Sequence, residues 1–197
     1  MRLIRPPFPV ASPLALALVV IATAAGPSVR AKKKDAPELP ALNQKVIGFA
    51  RERLGEKVGN GQCTSLAAEA LDAAGAKRFP MRGLDGDYVW GRPLATFREA
   101  LPGDLLQFRD AVFRGKTFVT STRWVSWHQT YPHHTAIVSE VRDGGKLVVI
   151  LHQNVGADGT TTEAKQVVTE ATLRTDSLQK GGHIWIYRPD APDDDPD

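Results

Sequence analysis

The sequence predicts an α+β fold in which N-terminal helices pack on an antiparallel β-sheet. Apolar residues recur at helical intervals in two early segments, 42–54 and 63–74. The second half instead contains β-branched segments separated by turns, with a hairpin signal at Arg142–Gly145. Helices followed by strands favour an antiparallel sheet over alternating βαβ units.

The two helices have recognisable ends. The first is predicted to span Leu42–Leu54, and Gly55 closes it. The second is predicted to begin at Cys63 and to end near Ala74, with Gly75 as the residue after its C-cap. Residues 59–62 before it read Gly-Asn-Gly-Gln, which indicates a turn.

The rest of the domain is predicted to be loops and strands. Residues 77–94 are rich in Gly and Pro and indicate a loop, in which Tyr88 and Trp90 either pack on the core or line a cleft. A short helix is expected at 95–100, whereas 124–128 has no clear assignment. The predicted strands are 105–108, a short one at 118–119, 134–141, 146–152, 166–173 and 184–187.

The N-terminus is predicted to be a secretory signal peptide, residues 1–25. Arg2 and Arg5 precede an apolar run at Leu14–Ala25, and Ala22-Thr23-Ala24 fits a cleavage site. The run is short for a bilayer span, so we expect removal and no integral span afterwards; a retained anchor is the alternative. A secreted, periplasmic or cell-envelope location follows from this prediction.

The remaining chain divides by composition. The 197 residues favour one domain with extensions. Residues 26–40 are predicted to be a flexible linker, 41–189 the folded domain and 190–197 a disordered acidic tail.

The net charge of +3 carries little functional information, because many of the cations lie in the leader and linker. The domain itself is nearly balanced, so we expect no nucleic-acid partner. The sequence lacks a Gly-rich phosphate loop and the CxxC and HExxH motifs, and no cofactor or metal is predicted. The oligomeric state is left open.

Cys63 is the only cysteine. At a helix start, free N–H groups and the helix dipole favour a thiolate, which predicts a nucleophile with a lowered pKa. An exported protein usually pairs its cysteines, so an unpaired one indicates a reactive thiol or an intermolecular link. A small buried residue is the alternative.

A thiol nucleophile needs a base, and the predicted hairpin supplies one. His134 begins one strand and His152 ends its antiparallel neighbour, so their rings can lie close together. If the Cys63 helix packs on that sheet, its start could meet His134, with His152 or Asn154 orienting the ring. Gln62 is a candidate oxyanion donor, or alternatively a plain turn residue.

Other polar residues are given structural interpretations. His128 and His183 are expected to be surface residues, whereas strand alternation does not separate His133 cleanly from its neighbour. Asp104 follows Pro-Gly and is expected to fix its own turn by accepting backbone hydrogen bonds. Whether Trp124 and Trp127 line a cleft is left open.

Four short motifs resemble the CHAP family, the cysteine, histidine-dependent amidohydrolases/peptidases, over roughly Val46–Tyr187. They are Gly61-Gln62-Cys63-Thr64, Pro102-Gly103-Asp104-Leu105, His134-Thr135-Ala136-Ile137-Val138 and His152-Gln153-Asn154. The resemblance implies a papain-like fold related to NlpC-type cell-wall endopeptidases, with Cys63 as nucleophile and His134 as base. The third position usually holds an acid or amide, whereas this chain has His152, as some related cell-wall enzymes do; Asn154 is the alternative.

These observations lead to one main hypothesis and two alternatives. The main one is an exported cysteine hydrolase of amide or peptide bonds in peptidoglycan, acting through an acyl-enzyme. The first alternative is a catalytically degenerate papain-like domain with a binding or structural role in the cell envelope. The second is a metal site formed by Cys63, His134 and His152. Which bond is cut is left open.

Overall fold

A computed structural model describes residues 38–78, 80, 86–156 and 166–192 of the chain. The chain divides into Met1–Ala36 and Pro37–Asp197, and every described residue belongs to the second unit. The predicted signal peptide therefore lies outside the described residues, as do 26–37 of the linker and 193–197 of the acidic tail. The described ranges contain two α-helices and a six-stranded antiparallel sheet, consistent with the predicted α+β class.

The helices agree with the prediction within about two residues, the usual uncertainty of helix ends. Helix α1 spans Ala41–Glu52 and α2 spans Cys63–Ala74. Gly75 has φ of 70°, and its N–H donates to the Asp72 carbonyl at 3.0 Å, which ends α2 as predicted. No helix in the described part of the chain is long and apolar enough to cross a bilayer.

The sheet has the strand order β1-β6-β2-β3-β4-β5. Its pairings are antiparallel throughout the described residues. Short 3-10 turns at Asp143–Gly145 and Thr175–Ser177 follow β3 and β5. The strands are β1 Arg92–Leu94, β2 Leu105–Phe118, β3 Trp124–Arg142, β4 Leu147–His152, β5 Thr169–Arg174 and β6 His183–Arg188.

Two predictions about residues 92–128 were wrong, and two short segments there proved to belong to long strands. The short helix expected at 95–100 is a turn, and β1 was predicted as loop. The short strand at 118–119 is the end of β2, and 124–128 is the start of β3. The long strands have a non-local cause. β2 and β3 form one hairpin that keeps a single register from Leu105↔Ile137 to Phe118↔Trp124, interrupted only at Asp110 and Pro132, and this pairing outweighs weak local propensity.

Side chains alternate between two faces of the sheet, each with its own core cluster. On the helix face, Leu105, Ile137 and Leu151 pack with the buried residues of α1 and α2. On the opposite face, which we call the far face, Ala136 and Ile150 pack with the other far-face side chains. Successive residues of β3 and β4 therefore enter different environments, which determines where the candidate site residues lie.

Asp104 fixes the start of β2 as predicted, and it also joins distant elements. Its fully buried carboxylate accepts a hydrogen bond from the Leu101 N–H at 2.8 Å. It further accepts from Asn43 Nδ2 of α1 at 2.7 Å and from the Arg188 guanidinium of β6 at 2.9 Å. The buried charge is thereby paired and hydrogen-bonded, and it holds α1, β2 and β6 together.

Candidate active site

The turn before α2 is held by its own side chains. Asn60 Oδ1 accepts hydrogen bonds from the Gln62 N–H at 3.0 Å and from the Ser65 hydroxyl at 2.6 Å. Gly61 has φ of 85°, a conformation that favours glycine. These constraints turn the chain into the helix so that Cys63 is its first residue.

Gln153 clamps the same turn to the end of β4. Its side chain is fully buried, and its Nε2 donates to the Val58 carbonyl at 2.9 Å and the Gln62 carbonyl at 2.6 Å. Its Oε1 accepts from the Val58 N–H at 3.1 Å. Sequence reasoning did not identify this role, although a glutamine directly after the apolar run of β4 was an available signal.

The Cys63 thiol contacts β3 at Thr135. The backbone and the hydroxyl group of Thr135 hydrogen-bond to Cys63, which is half-buried. The Thr135 hydroxyl also lies 2.9 Å from Gln107 Oε1, so its single proton can be donated either to this oxygen or to the thiol. Gln107 Oε1 accepts a further hydrogen bond from Trp90 Nε1 at 3.3 Å. Thr135 is the residue after His134, so the thiol reaches the strand that carries the predicted base. Thr135 was not predicted as a site residue.

Burial raises the pKa of the Cys63 thiol above its ordinary value. Hydrogen bonds from the backbone and hydroxyl of Thr135 and from the Thr64 backbone act in the opposite direction, but they do not offset the loss of hydration. The expectation of a lowered pKa at the helix start is therefore wrong, because desolvation of the thiolate exceeds the favourable effect of the helix N-terminus.

His134 and His152 lie together on the far face. Ile137 pairs with Leu151, and continuing this register by one residue sets Ala136 opposite His152, so His134 is its diagonal neighbour on the same face. His134 Nε2 and His152 Nδ1 are 3.1 Å apart and form a hydrogen bond. The His134 ring also stacks on Tyr131, with 5.3 Å between ring centroids. The strand geometry predicted this proximity correctly.

Both imidazoles are held neutral near pH 7. Burial, followed by the charges of His152 and His133, lowers the pKa of His134 well below its ordinary value. Burial lowers the pKa of His152 to about 4. Burial likewise raises the pKa of the neighbouring Tyr131 to about 12, so this phenol is also neutral. The far side of the site is therefore uncharged.

The structure does not join the thiol to an imidazole by a hydrogen bond. The described residues include all five histidines, and the Cys63 hydrogen bonds go instead to Thr135, Thr64 and its own backbone. We expected the start of α2 to meet His134, but it meets the next residue, Thr135. Thr135 and His134 point to opposite faces of the sheet, so only one of them can face the helix. Since His134 Nε2 is bonded to His152, Nδ1 is the ring nitrogen left for another partner.

Asn154 contacts Gln62 rather than His134. Asn154 Nδ2 donates to Gln62 Oε1 at 2.8 Å, and Asn154 adopts a left-handed conformation with φ of 58°. With its Oε1 occupied, the exposed Gln62 side chain keeps its amide NH₂ group as a donor. Of the two candidates for the third residue, His152 therefore contacts His134, whereas Asn154 contacts Gln62, the candidate oxyanion donor.

The remaining histidines and the tryptophans Trp124 and Trp127 lie elsewhere. His133 Nε2 donates to the Gly86 carbonyl at 2.8 Å, and His128 and His183 are exposed. Trp124 and Trp127 are seven to ten residues before His134 on β3, which corresponds to about 20–35 Å of extended strand. Within the described ranges, no group of three or more His, Cys, Asp or Glu side chains is arranged to hold a metal ion.

A helix that presents a cysteine at its start, packed on an antiparallel sheet that carries a histidine pair, has the arrangement of a papain-like cysteine proteinase fold. Residues 40–192 match the AIM3/BBC1 cysteine proteinase-fold domain, and the chain belongs to that family. No curated protein and no solved structure is significantly similar to the chain. The family establishes the papain-like fold that the CHAP resemblance implied.

Proposed function

We propose that the protein is a cysteine hydrolase of amide bonds, with Cys63 as nucleophile, His134 as base and His152 as the residue that orients it. The main support is the placement of three residues around β3: the Cys63 thiol contacts Thr135, and the preceding residue, His134, is hydrogen-bonded on the opposite face to His152 at 3.1 Å. A nucleophile, a base and a group that orients the base are the three parts of a cysteine-hydrolase site.

The titration behaviour fits a reaction that starts from neutral groups. A raised thiol pKa and a lowered imidazole pKa give Cys–SH and neutral His134 near pH 7. When a substrate carbonyl is attacked, the thiol proton has to pass to an imidazole of β3 as the S–C bond forms. The proposal assigns this role to His134, whose Nδ1 is not bonded to His152, although its ring starts on the face opposite Thr135. The imidazolium then gives this proton to the departing amine, and His134 activates the water that cleaves the thioester.

The oxyanion of each tetrahedral intermediate needs donors. The Cys63 N–H has no i−4 partner at the first helical position, and the Gln62 amide NH₂ is left available by the bond to Asn154. Two such donors near the nucleophile are the usual composition of an oxyanion hole.

The substrate class proposed is peptidoglycan peptide or the sugar–peptide amide, at a secreted, periplasmic or cell-envelope location. This rests on the CHAP-like motifs and on the predicted signal peptide, and no cofactor or nucleic acid is required. The order Cys63, His134, His152 is the order of the Cys-His-His cell-wall enzymes that the motifs resemble.

The test is hydrolysis of purified peptidoglycan, with products identified by mass spectrometry. Wild-type protein should release peptides or amino sugars bearing new ends, and Cys63→Ala should release none. Because Cys63 is the only cysteine, alkylation with iodoacetamide should abolish the same activity. Equal product release by Cys63→Ala would refute the proposal.

A second candidate is a non-catalytic domain that binds an envelope component. It is favoured by the thiol bonding to Thr135 instead of an imidazole and by the raised pKa. The two candidates differ in alkylation of Cys63 at pH 7. If His134 acts as base, His134→Gln should slow the reaction with iodoacetamide about tenfold or more. An unchanged rate, together with inactive wild-type protein, would favour the binding domain.

A further inference from the structure

The β2–β3 hairpin extends beyond the sheet as a two-stranded arm, which we define as Arg114–His128. Strand β6 pairs with β2 only over Leu105–Arg109, and β4 pairs with β3 only over Ile137–Arg142. An isolated bridge from Phe113 to Leu178 marks the base of the arm. Both outer edges of the arm are therefore unpaired within the described residues, whereas a free hairpin is only marginally stable in water.

The far end of the arm exposes large apolar side chains on both of its faces. Phe118 is opposite Trp124 in the register, and Val119 and Val125 follow them in the chain. Apart from Leu54, these are the exposed large hydrophobic residues of the described chain: Phe118 70%, Val119 59%, Trp124 47% and Val125 50%. Apolar exposure concentrated at one projecting end indicates an interaction surface.

The arm also carries cations without acids. From Ala111 to Ser139 the chain contains no Asp or Glu, although the whole protein has 22 acidic residues. Arg114, Lys116 and Arg123 are exposed, and none of the three forms an ion pair among the described residues. The arm is therefore complementary to an anionic surface.

The arm is held rigid by contacts of its own. The Trp127 ring covers Gly115 so closely that a Cβ there would lie 2.4 Å from it. Lys116 Nζ lies 3.9 Å from the centre of the Trp124 ring. In the turn, the Val119 N–H donates to the Arg123 carbonyl at 2.8 Å. A rigid arm loses little conformational entropy when it binds, so its apolar end is presented ready to dock.

We propose that the arm docks on anionic phospholipid bilayers. Phe118, Trp124 and the two valines would enter the headgroup–acyl boundary, with Arg114, Lys116 and Arg123 against lipid phosphates. Aromatic and aliphatic side chains beside cations are the composition of interfacial membrane-binding elements. The valines favour acyl chains over a glycan, because sugars are recognised mainly by aromatic stacking and hydrogen bonds and gain little from exposed aliphatic groups.

This inference is independent of the proposed hydrolase. The arm ends seven residues before Thr135, the residue of β3 that Cys63 contacts, and it contains none of the candidate catalytic residues. Cys63→Ala should therefore bind vesicles as the wild type does, whether or not the protein hydrolyses peptidoglycan.

The test uses the full chain and phosphatidylcholine vesicles with brominated acyl chains, with or without phosphatidylglycerol. Bromine quenches only tryptophans that enter the bilayer, and the chain has no tryptophan before Trp90, so the N-terminal segment gives no signal. We expect quenching with phosphatidylglycerol, much less without it, and loss of quenching in high salt.

Matched variants identify the arm. Phe118→Ser and Lys116→Glu should each weaken vesicle binding about tenfold or more. The controls Leu54→Ser and Lys146→Glu make the same changes at exposed positions off the arm and should change binding less than about twofold.

Three results would overturn the proposal. They are absence of tryptophan quenching, equal quenching by vesicles lacking phosphatidylglycerol, and equal loss in the control variants. Salt-sensitive binding to purified peptidoglycan without quenching by vesicles would assign the arm to a glycan and also overturn it. Thermal unfolding checks that each variant is folded. If an arm variant is unfolded, the wild type alone tests the proposal: bromines placed at graded depths along the acyl chains should quench its tryptophans only if they enter the bilayer.

Discussion

The two faces of the sheet differ in polarity and exposure at the candidate site. On the helix face, the half-buried Cys63 lies among hydrogen-bonded polar groups, chiefly Thr135 and Gln153. On the far face, His134 and His152 are 6% and 3% exposed and pack against the Tyr131 ring. Adjacent residues of one strand thus contact a half-buried thiol on one face and form a buried histidine pair on the other.

This difference between the two faces shows how one strand can place two groups with different requirements in different environments. In the proposed mechanism, the nucleophile Cys63 has to reach substrate, whereas the base His134 has to stay neutral near pH 7. Burial of His134 satisfies the second requirement by lowering its pKa. Burial on the helix face likewise raises the pKa of Cys63, so in the proposed mechanism the thiol depends on the base for its proton transfer. Four predictions follow from this contrast, from the largest effect to the smallest.

The largest effect should come from replacing His134, compared with replacing its neighbour His133. His134→Gln should lower kcat/KM for peptidoglycan hydrolysis by about a thousandfold, because the base is lost. His133→Gln is the comparison. Its ring bonds to the Gly86 carbonyl and lies on the face of Thr135, which the thiol contacts, but if His134 is the base the activity should fall less than about fivefold. Similar losses in both variants would mean that strand alternation does not assign the base.

Acid should destabilise the protein through the far face. The pKa of His152 is about 4 in the fold against 6.5 when unfolded, so the unfolded chain binds more protons between these values. Stability should be constant above pH 6.5 and fall as the pH decreases toward 4, by up to about 3 kcal/mol for this group.

Urea unfolding of the wild type and His152→Gln at pH 7 and pH 4.5 measures the difference. The variant should lose less stability on acidification. An equal loss would show that His152 already titrates normally in the folded protein.

On the helix side, Asn154→Asp should lower kcat about tenfold to a hundredfold with little change in KM. An aspartate cannot donate to Gln62 Oε1, so it should turn the amide and remove the NH₂ group from the oxyanion. In a Gln62→Ala background the same substitution should have no further effect. Additive losses in the double variant would contradict this coupling.

The smallest effect is expected for Thr135→Val, which keeps the side-chain shape. It removes a hydrogen bond that lowers the pKa of Cys63, so that pKa should rise further. Alkylation of Cys63 at pH 8 should slow about twofold to threefold. Ser139→Ala, also on β3, is the control and should react at the wild-type rate. Faster alkylation of Thr135→Val would mean that Thr135 shields the thiol instead of acidifying it.

Sequence reasoning recovered what depends on local chain geometry. The proximity of His134 and His152 follows from strand alternation within one hairpin, and the start of α2 at Cys63 follows from the glycine turn. The contact of Cys63 with Thr135 could not be predicted, because it depends on how α2 docks on a sheet formed much later in the chain. The direction of the Cys63 pKa shift was missed for the same reason, since burial is a property of the complete fold.

The clamp formed by Gln153 has a consequence for how the protein reaches its native state. It joins Val58 and Gln62 to a residue more than ninety positions later. Closing so long a loop is slow compared with forming a helix or a hairpin. The cysteine turn should therefore acquire its final shape only when β4 is in place, so that the thiol is set in position among the last steps of folding.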